Sequence, residues 1–326
     1  MKKILTIGRY FKSRFGQRVR KIPISLQGFT CPNIDGSVAK GGCIYCRNES
    51  FSPSIVKISN LDTPANAPKI EMNFKITQNP LLENQVAQLK EQFKWHSEFH
   101  KNKFEVRKYL VYFQSYTNTY APFDTLKRLY QEALALPNVV GMSIGTRVDC
   151  VEDRVLDLLG DYVKKGKEIW LEYGIQSVYD ETLKATNRGH STQGMAELFK
   201  KTRQRGIKVC AHLIYGLPKE TPEMMLHSLK TILQWGVDGL KIHPLYVVSG
   251  TYLEKLYLSK NYTPIALADY ADLIVASLKI IPTDVVVQRV SAGAHDETLL
   301  APKWCFDKNI QMRYLREKLK SAGIEY

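Results

Sequence analysis

The chain has 326 residues, of which 44% are hydrophobic, and 46 basic residues against 32 acidic ones give a formal net charge of +14. This length suits one large domain or two ordinary ones, and the apolar content is ample for a core. We expect a soluble cytoplasmic protein without a membrane partner, because no run of about 18 apolar residues occurs and the apolar start breaks at Arg9, too early for a secretory signal peptide.

The first segment of the chain, residues 1–21, is strongly basic. Residues 1–34 contain eight lysine and arginine residues and no acidic residue, and Tyr10, Phe11 and Phe15 lie among them. A basic arm next to a reactive site would neutralise phosphates, which favours RNA as a partner. The alternative is a solvated tail of a basic protein.

Beyond this arm, short β-rich runs alternate with longer helical patterns, which predicts repeated βα units and a parallel sheet. The candidate strands are 22–26, 109–114, 139–146, 168–176, 207–216 and 239–245. Six such units make three quarters of a barrel. We therefore predict an α/β fold, a partial TIM barrel of (β/α)6 type, with a basic arm at 1–21, the core at 22–250 and a C-terminal extension at 251–326 that closes the barrel.

Apolar stripes at helical spacing predict helices between these strands, and three of them begin at Leu82, Leu126 and Met225. Thr221 and Pro222 before the third stripe are a good N-cap and first-turn residue. Residues 51–80 show no clear period and predict an irregular insertion. Residues 285–292 offer one more strand, and a helix near 311–321 ends the chain.

Three cysteines, Cys31, Cys43 and Cys46, lie in the loop after the first predicted strand. Three thiolates can hold three irons of a four-iron cluster and leave the fourth iron open to a small molecule. A structural zinc site with a distant histidine is the alternative, although the remaining cysteines lack the pair spacing typical of such sites. A disulfide fits less well, since few cysteines in a long chain are typical of a reducing cytosol.

Polar residues cluster where the predicted strands end, on the face where barrel enzymes carry their chemistry. They are Gln114, Tyr116, Asn118, Thr146, Arg147, Asp149, Gln176, Ser177, Gly216, Pro218 and His243. The cysteine loop opens at the same face. This convergence favours an enzyme over a binding module.

With these features in view, the chain resembles a radical S-adenosylmethionine enzyme of the Elongator-catalytic-subunit-like branch. It is similar in particular to the YhcC/YtqA-type group of MnmL-like tRNA wobble-uridine enzymes. The resemblance runs from about residue 5 to 310 and is carried by GGCIYC, VYFQSYTNTYAP, SIGTRVDC, LEYGIQS, NRGH, AHLIYGLPKET, KIHPLYVVSGT and the late QR followed by APKW. In the commonest form of the superfamily, three residues separate the first two cysteines. Here eleven residues separate Cys31 from Cys43, and this longer loop is typical of the branch that the chain resembles.

The resemblance implies a 4Fe–4S cluster on Cys31, Cys43 and Cys46 that cleaves S-adenosylmethionine to methionine and a 5′-deoxyadenosyl radical. Arg188 would pair with the carboxylate of the cofactor, because guanidinium groups bind carboxylates bidentately. The other implied cofactor contacts are Tyr45, His212, Ile214 and Gly216 near the adenine, Gln114 and Tyr116 at the amino group, and Gly174, Gln176 and Ser177 around the ribose. For Tyr45 and His212, simple packing is the alternative.

The relatives named by the resemblance work on tRNA, which implies conversion of the 5-carboxymethylaminomethyl wobble uridine to its 5-aminomethyl form. Arg289, Arg147 and Trp304 are candidates to bind the flipped base and its carboxylate, and His243 is a candidate on the substrate side. An electron donor such as flavodoxin or ferredoxin is implied. Two alternatives stay open, namely a radical enzyme for a small metabolite or tetrapyrrole, and a zinc-stabilised RNA-binding protein.

Overall fold

The computed structural model describes residues 1–48, 71–294 and 297–326. Most of the predicted insertion at 51–80 therefore lies outside the described residues. The strands are β1 (Lys2–Lys3), β2 (Val19–Ile24), β3 (Lys108–Phe113), β4 (Val139–Thr146), β5 (Glu168–Gln176), β6 (Lys208–Tyr215), β7 (Gly239–Pro244), β8 (Val247–Val248), β9 (Val286–Arg289), β10 (Leu299–Ala301) and β11 (Ile324–Glu325).

The helices connect and cover these strands. They are α1 (Ile7–Phe15), α2 (Leu82–Phe104), α3 (Phe123–Ala135), α4 (Asp153–Lys164), α5 (Asp180–Ala185), α6 (Met195–Gln204), α7 (Pro222–Trp235), α8 (Tyr252–Leu258), α9 (Leu267–Ile280) and α10 (Lys308–Ser321), with a 3₁₀ turn at Lys303–Cys305. The predicted start of α7 is confirmed, since the Thr221 side chain accepts from the Met224 N–H and Pro222 opens the helix.

Seven strands form one parallel sheet in the order β2-β3-β4-β5-β6-β7-β9. The prediction of a partial barrel is confirmed, and the run at 285–292 supplies β9 as a seventh strand. Strand β5 is buried at every residue except its last, as expected for a parallel strand that is covered on both faces. The carboxyl ends of all seven strands therefore meet at one rim of the barrel.

The basic N-terminal segment is folded onto the opposite end of the barrel. Strand β1 pairs with β11, and α1 buries Phe11 against Trp170, Cys210 and other residues of the lower barrel. The Tyr10 hydroxyl donates to Oε1 of Glu168, the first residue of β5, at 2.6 Å. Helix α1 therefore does not border the predicted reactive site, contrary to expectation, because its aromatic residues give it an apolar face that closes the amino ends of the strands. Lys21, the last residue of the segment, does reach Glu172 inside the barrel.

Replacing Phe11 by alanine should cost about 3–5 kcal/mol of unfolding free energy, because a ring that is 2% exposed would leave a cavity under the barrel. Urea unfolding measures this loss. Phe306, which is 53% exposed, is the matched control, and its change to alanine should shift stability by no more than about 0.5 kcal/mol. Equal losses for the two variants would contradict the closing role of α1.

The C-terminal segment completes the barrel wall. The predicted final helix at 311–321 lies within α10, and α10 packs against α9. Strand β8, directly after β7, pairs antiparallel with β10. The domain boundaries at residues 21 and 250 remain predictions.

Candidate active site

The cysteine loop after β2 is held by the loop that follows α5. Asn33 donates its Nδ2 to the carbonyl oxygens of Asn187 and Arg188 at 2.6 and 2.8 Å. Asn187 in turn donates to the carbonyl oxygens of Lys40 and Gly42 at 3.0 and 2.7 Å. Because each loop satisfies the polar groups of the other, the cysteines are fixed although they lie outside helices and strands.

Gly189 is required at the contact between these loops. Its φ is +74°, and a Cβ there would lie 2.5 Å from Oδ1 of Asn33 and 2.8 Å from a methyl group of Val38. The glycine of the NRGH motif thus permits the close approach that clamps the cysteine loop.

Replacing Gly189 by alanine should lower the iron content of the reconstituted protein several-fold and destabilise it by about 1–3 kcal/mol, since the new methyl group displaces Asn33. Iron analysis and urea unfolding measure the two effects. Gly194 is the matched control, because it has a φ of +79° but open space at its Cβ position. The outcome that would refute the clamp is an equal iron loss in the Gly194→Ala variant.

Two buried guanidinium groups lie beside the sulfur atoms. Nη1 of Arg147 is 3.8 Å from Cys31 Sγ, and Nη1 of Arg188 is 3.7 Å from Cys43 Sγ. The positive charge of Arg188 offsets part of the negative charge that three thiolates bring to a cluster, and hydrogen bonds from both guanidinium groups to such sulfurs tune the potential of the cluster. Arg188 also donates to the Gly174 carbonyl at 2.6 Å, while its Nε is buried without a hydrogen-bond partner among the described residues.

Cys31, Cys43 and Cys46 are free thiols that line a common cavity. Among the described residues, the set of three potential ligands within 4.8 Å of one another is instead Glu172, Cys210 and His212. The three cysteines therefore do not form a closed metal site by themselves, and they would hold three irons of a four-iron cluster at the mouth of the cavity.

This cavity has a volume of about 280 Å³ and runs from the cysteines into the barrel. It brings together most of the predicted site residues, which are Cys31, Cys43, Tyr45, Cys46, Gln114, Tyr116, Arg147, Gly174, Gln176, Arg188, His212, Ile214, His243 and Arg289. Their individual roles toward a cofactor remain predictions. Their convergence follows from the parallel sheet, whose strand ends meet at the rim.

Backbone strain also concentrates on this cavity. Ser115, Tyr116 and Gln176 have φ angles of +73°, +56° and +71°, and the pairing of β5 with β6 shifts between Gly174 and Gln176. Left-handed φ angles cost free energy in residues other than glycine and accumulate at functional sites. The strain turns these side chains and their peptide groups into the cavity.

Three predicted site residues do not line the cavity, contrary to expectation. The Ser177 hydroxyl donates to Glu220, and Gly216 bonds to Met225 and Tyr262. Trp304 packs on the far side of the cavity wall, where its Nε1 donates to the Ile265 carbonyl at 3.2 Å. Arg147 does line the cavity, where Asp149 already compensates its charge through two hydrogen bonds of 2.8 and 2.7 Å, and its role toward a substrate remains a prediction.

The sequence interpretation missed a charged network on the floor of the cavity. Glu172 is fully buried, and its Oε1 is bonded to Lys21 and its Oε2 to Lys241. His212 Nε2 lies 3.0 Å from the same Oε2. Lys241 also donates to the Tyr112 hydroxyl at 3.1 Å. The available signal was a charged residue in the middle of an apolar strand, as in WLEYG and LKIHP, since such a residue must point to a partner inside the barrel.

Both histidines of the cavity are neutral at physiological pH. Burial and the Lys241 charge lower the pKa of His212 to about 4. Burial and the Arg289 charge hold the pKa of His243 well below its ordinary value, and Nε2 of His243 is buried without a hydrogen-bond partner among the described residues. The histidines therefore offer hydrogen bonds and add no charge.

The comparisons with known proteins agree with this geometry. A family profile described as "Radical SAM superfamily" matches residues 38–232, and one described as "Radical_SAM C-terminal domain" matches residues 237–321. Protein YhcC of Escherichia coli (strain K12) is 36% identical over 312 residues, which cover 96% of this chain and 91% of that protein. The uncharacterized protein YtqA of Bacillus subtilis (strain 168) is 32% identical over 322 residues, covering 99% and 91%.

A solved structure supports the fold. The archaeal Methanocaldococcus infernus Elp3 with an N-terminal deletion is similar with a TM-score of 0.57 at 16% identity, over 94% of this chain and 64% of that one. No helix in the described part of the chain is both long and apolar enough to cross a membrane. The cysteine loop, the cavity, the parallel half-barrel and the matches over nearly the whole length show that the chain belongs to the radical SAM superfamily.

Proposed function

We propose that this enzyme acts on the wobble uridine of tRNA and converts 5-carboxymethylaminomethyl-uridine into 5-aminomethyl-uridine. The observation that carries the proposal is the charge of the cavity, which begins at the cysteines and ends among cationic side chains. The group to be removed bears a carboxylate, for which such a cavity is suited. The resemblance to the YhcC/YtqA-type group supports the same substrate, and a net charge of +14 suits a polyanionic partner.

The residues present fit the cofactors of the family. Cys31, Cys43 and Cys46 would hold a 4Fe–4S cluster, and the buried Nε of Arg188 is a donor beside them that still lacks an acceptor among the described residues. When bound, the cluster and S-adenosylmethionine supply a 5′-deoxyadenosyl radical that can take a hydrogen atom from an unactivated carbon. The chain itself provides a cavity that runs into the barrel, in which the reacting carbon would be held in place.

The proposed conversion of the substrate takes three steps that balance in atoms and electrons. The carboxymethyl carbon next to the amine loses a hydrogen atom. The resulting carbon radical loses one electron to an oxidised carrier of the flavodoxin or ferredoxin type, which gives an iminium ion. One water molecule hydrolyses this ion, and the products are the 5-aminomethyl group and glyoxylate.

The test is to incubate the anaerobically reconstituted enzyme with flavodoxin, a limiting amount of dithionite, S-adenosylmethionine and tRNA that bears the carboxymethylated uridine, so that oxidised flavodoxin remains to accept the electron. We expect the aminomethyl nucleoside, glyoxylate and 5′-deoxyadenosine to form in equal amounts, with the Cys43→Ala variant as the negative control. Unchanged nucleosides during continued formation of 5′-deoxyadenosine would refute the tRNA substrate. Stimulation of that formation by a small metabolite or tetrapyrrole would then identify the alternative substrate class.

A further inference from the structure

Two cations from different parts of the chain meet at the inner wall of the cavity. Arg289 is the last residue of β9, and Lys308 is the first residue of α10. Both line the cavity that contains the three cysteines. Arg289 is exposed to it and Lys308 is half-buried.

These two charges are uncompensated within the described part of the chain. The acidic side chain that lines the cavity, Glu172, is already bonded to Lys21 and Lys241. Arg147 is bound to Asp149. Neither Arg289 nor Lys308 forms an ion pair with a described acidic group, so these two side chains add two positive charges to the wall that an anionic ligand would offset.

The position of Lys308 is unfavourable without such a ligand. Burial and the neighbouring Arg289 both lower the pKa of Lys308, as expected where two like charges lie close together. Lys308 also begins a helix, where the backbone dipole disfavours a cation. A lysine at the start of a helix and beside another cation is unfavourable for the fold, and residues that break such structural preferences are typical of functional positions.

His243 completes the arrangement. Lys241 of β7 lies opposite Arg289 of β9, and His243 is on the same face of β7 two residues further on, so Arg289 and His243 are neighbours on the cavity wall that Lys308 also lines. The buried Nε2 of His243 lacks a partner among the described residues and in the neutral ring can donate or accept one hydrogen bond, depending on the tautomer.

We infer that Arg289, Lys308 and His243 form an anion site that binds the carboxylate of the substrate and sets its orientation. The guanidinium group suits bidentate binding of a carboxylate, and the ammonium group adds a point charge. The identification of the bound anion as the substrate carboxylate rests on the proposed function. The anion site also explains product release, because the product loses the anion and keeps an ammonium group that the two cations repel.

The test measures binding, and it uses the reconstituted protein loaded with S-adenosylmethionine and two nucleosides. We expect the wild type to bind 5-carboxymethylaminomethyl-uridine at least about ten-fold more tightly than 5-aminomethyl-uridine, a difference of one charged contact. In Arg289→Gln and Lys308→Gln this preference should fall to about two-fold or less, and Arg289→Lys should recover part of it. Lys303→Gln is the matched control, because Lys303 is exposed, lies outside the cavity and should leave the preference unchanged.

Three results would overturn the anion site. The first is a wild type without preference, and the second is a preference that survives in both glutamine variants. The third is a parallel loss of affinity for S-adenosylmethionine or for unmodified tRNA, which would assign the cations to the cofactor carboxylate or to phosphates. A wild type that shows the preference and leaves tRNA unchanged would refute the proposed function while the anion site stands.

Discussion

Replacing Cys43 by alanine should lower the formation of 5′-deoxyadenosine by at least about 100-fold, or about 2.7 kcal/mol of activation free energy. The physical reason is that two thiolates cannot hold a cluster at the position that Arg188 and Asn33 define beside Cys43. Iron and sulfide analysis, together with chromatography of the reaction, measures the effect. Alanine variants of Cys31 and Cys46 should give the same result.

The matched controls are the cysteines outside the loop. Burial raises the pKa of the Cys210 and Cys305 thiols well above the ordinary value, so both stay protonated and unsuited to bind iron. Cys305→Ala should keep its full iron content and activity. Loss of iron in this variant as complete as in Cys43→Ala would contradict the assignment of the three ligands.

Replacing Glu172 by glutamine should destabilise the protein by about 3–5 kcal/mol, because two buried ammonium groups, those of Lys21 and Lys241, would lose their shared counter-charge. Urea unfolding at neutral pH measures the loss. Asp161, whose ion pair with Lys164 is exposed on both sides, is the matched control, and Asp161→Asn should cost no more than about 0.5 kcal/mol.

The pH dependence of this effect follows from the pKa shifts. Burial alone would raise the pKa of Glu172, but the two lysines hold it well below its usual range. A carboxyl group whose pKa is lower in the folded than in the unfolded state stabilises the fold at pH values above its unfolded-state pKa. This stabilisation is lost as the pH falls through the pKa of the folded state. Burial lowers the pKa of Lys21 to about 8 although Glu172 raises it, and Glu172→Gln should lower that pKa further, so the deficit should shrink as the pH rises from about 5 towards 8 and level off above about pH 8. A deficit that grows with pH would contradict the network.

The fold was predictable from sequence where burial on both faces leaves a continuous apolar run. Strands β4 and β5 match the predicted ranges residue for residue, since their ends coincide with a change from apolar to polar residues. Helix α1 was not predicted, because its basic residues conceal a single apolar face that contains Phe11. Charge in a sequence identifies what faces water locally, and it does not show which end of a barrel a segment covers.

The candidate site was predictable where chemistry and strand ends coincide, as for Cys31, Cys43 and Arg188. Trp304 was wrongly expected at the cavity, because an aromatic residue near a late motif carries no information on which side of the wall it packs. Lys308 was missed for a similar reason. It reaches the cavity from the start of α10, far along the chain from the other lining residues, and this position is set by tertiary structure without a local pattern.

The most direct test of the account is anaerobic reconstitution of the wild-type chain with iron and sulfide, followed by reduction in the presence of S-adenosylmethionine. We expect a brown protein with a four-iron stoichiometry that depends on Cys31, Cys43 and Cys46 and that produces 5′-deoxyadenosine. A colourless protein that binds zinc through these cysteines and a fourth side chain, and that produces no 5′-deoxyadenosine, would contradict the account.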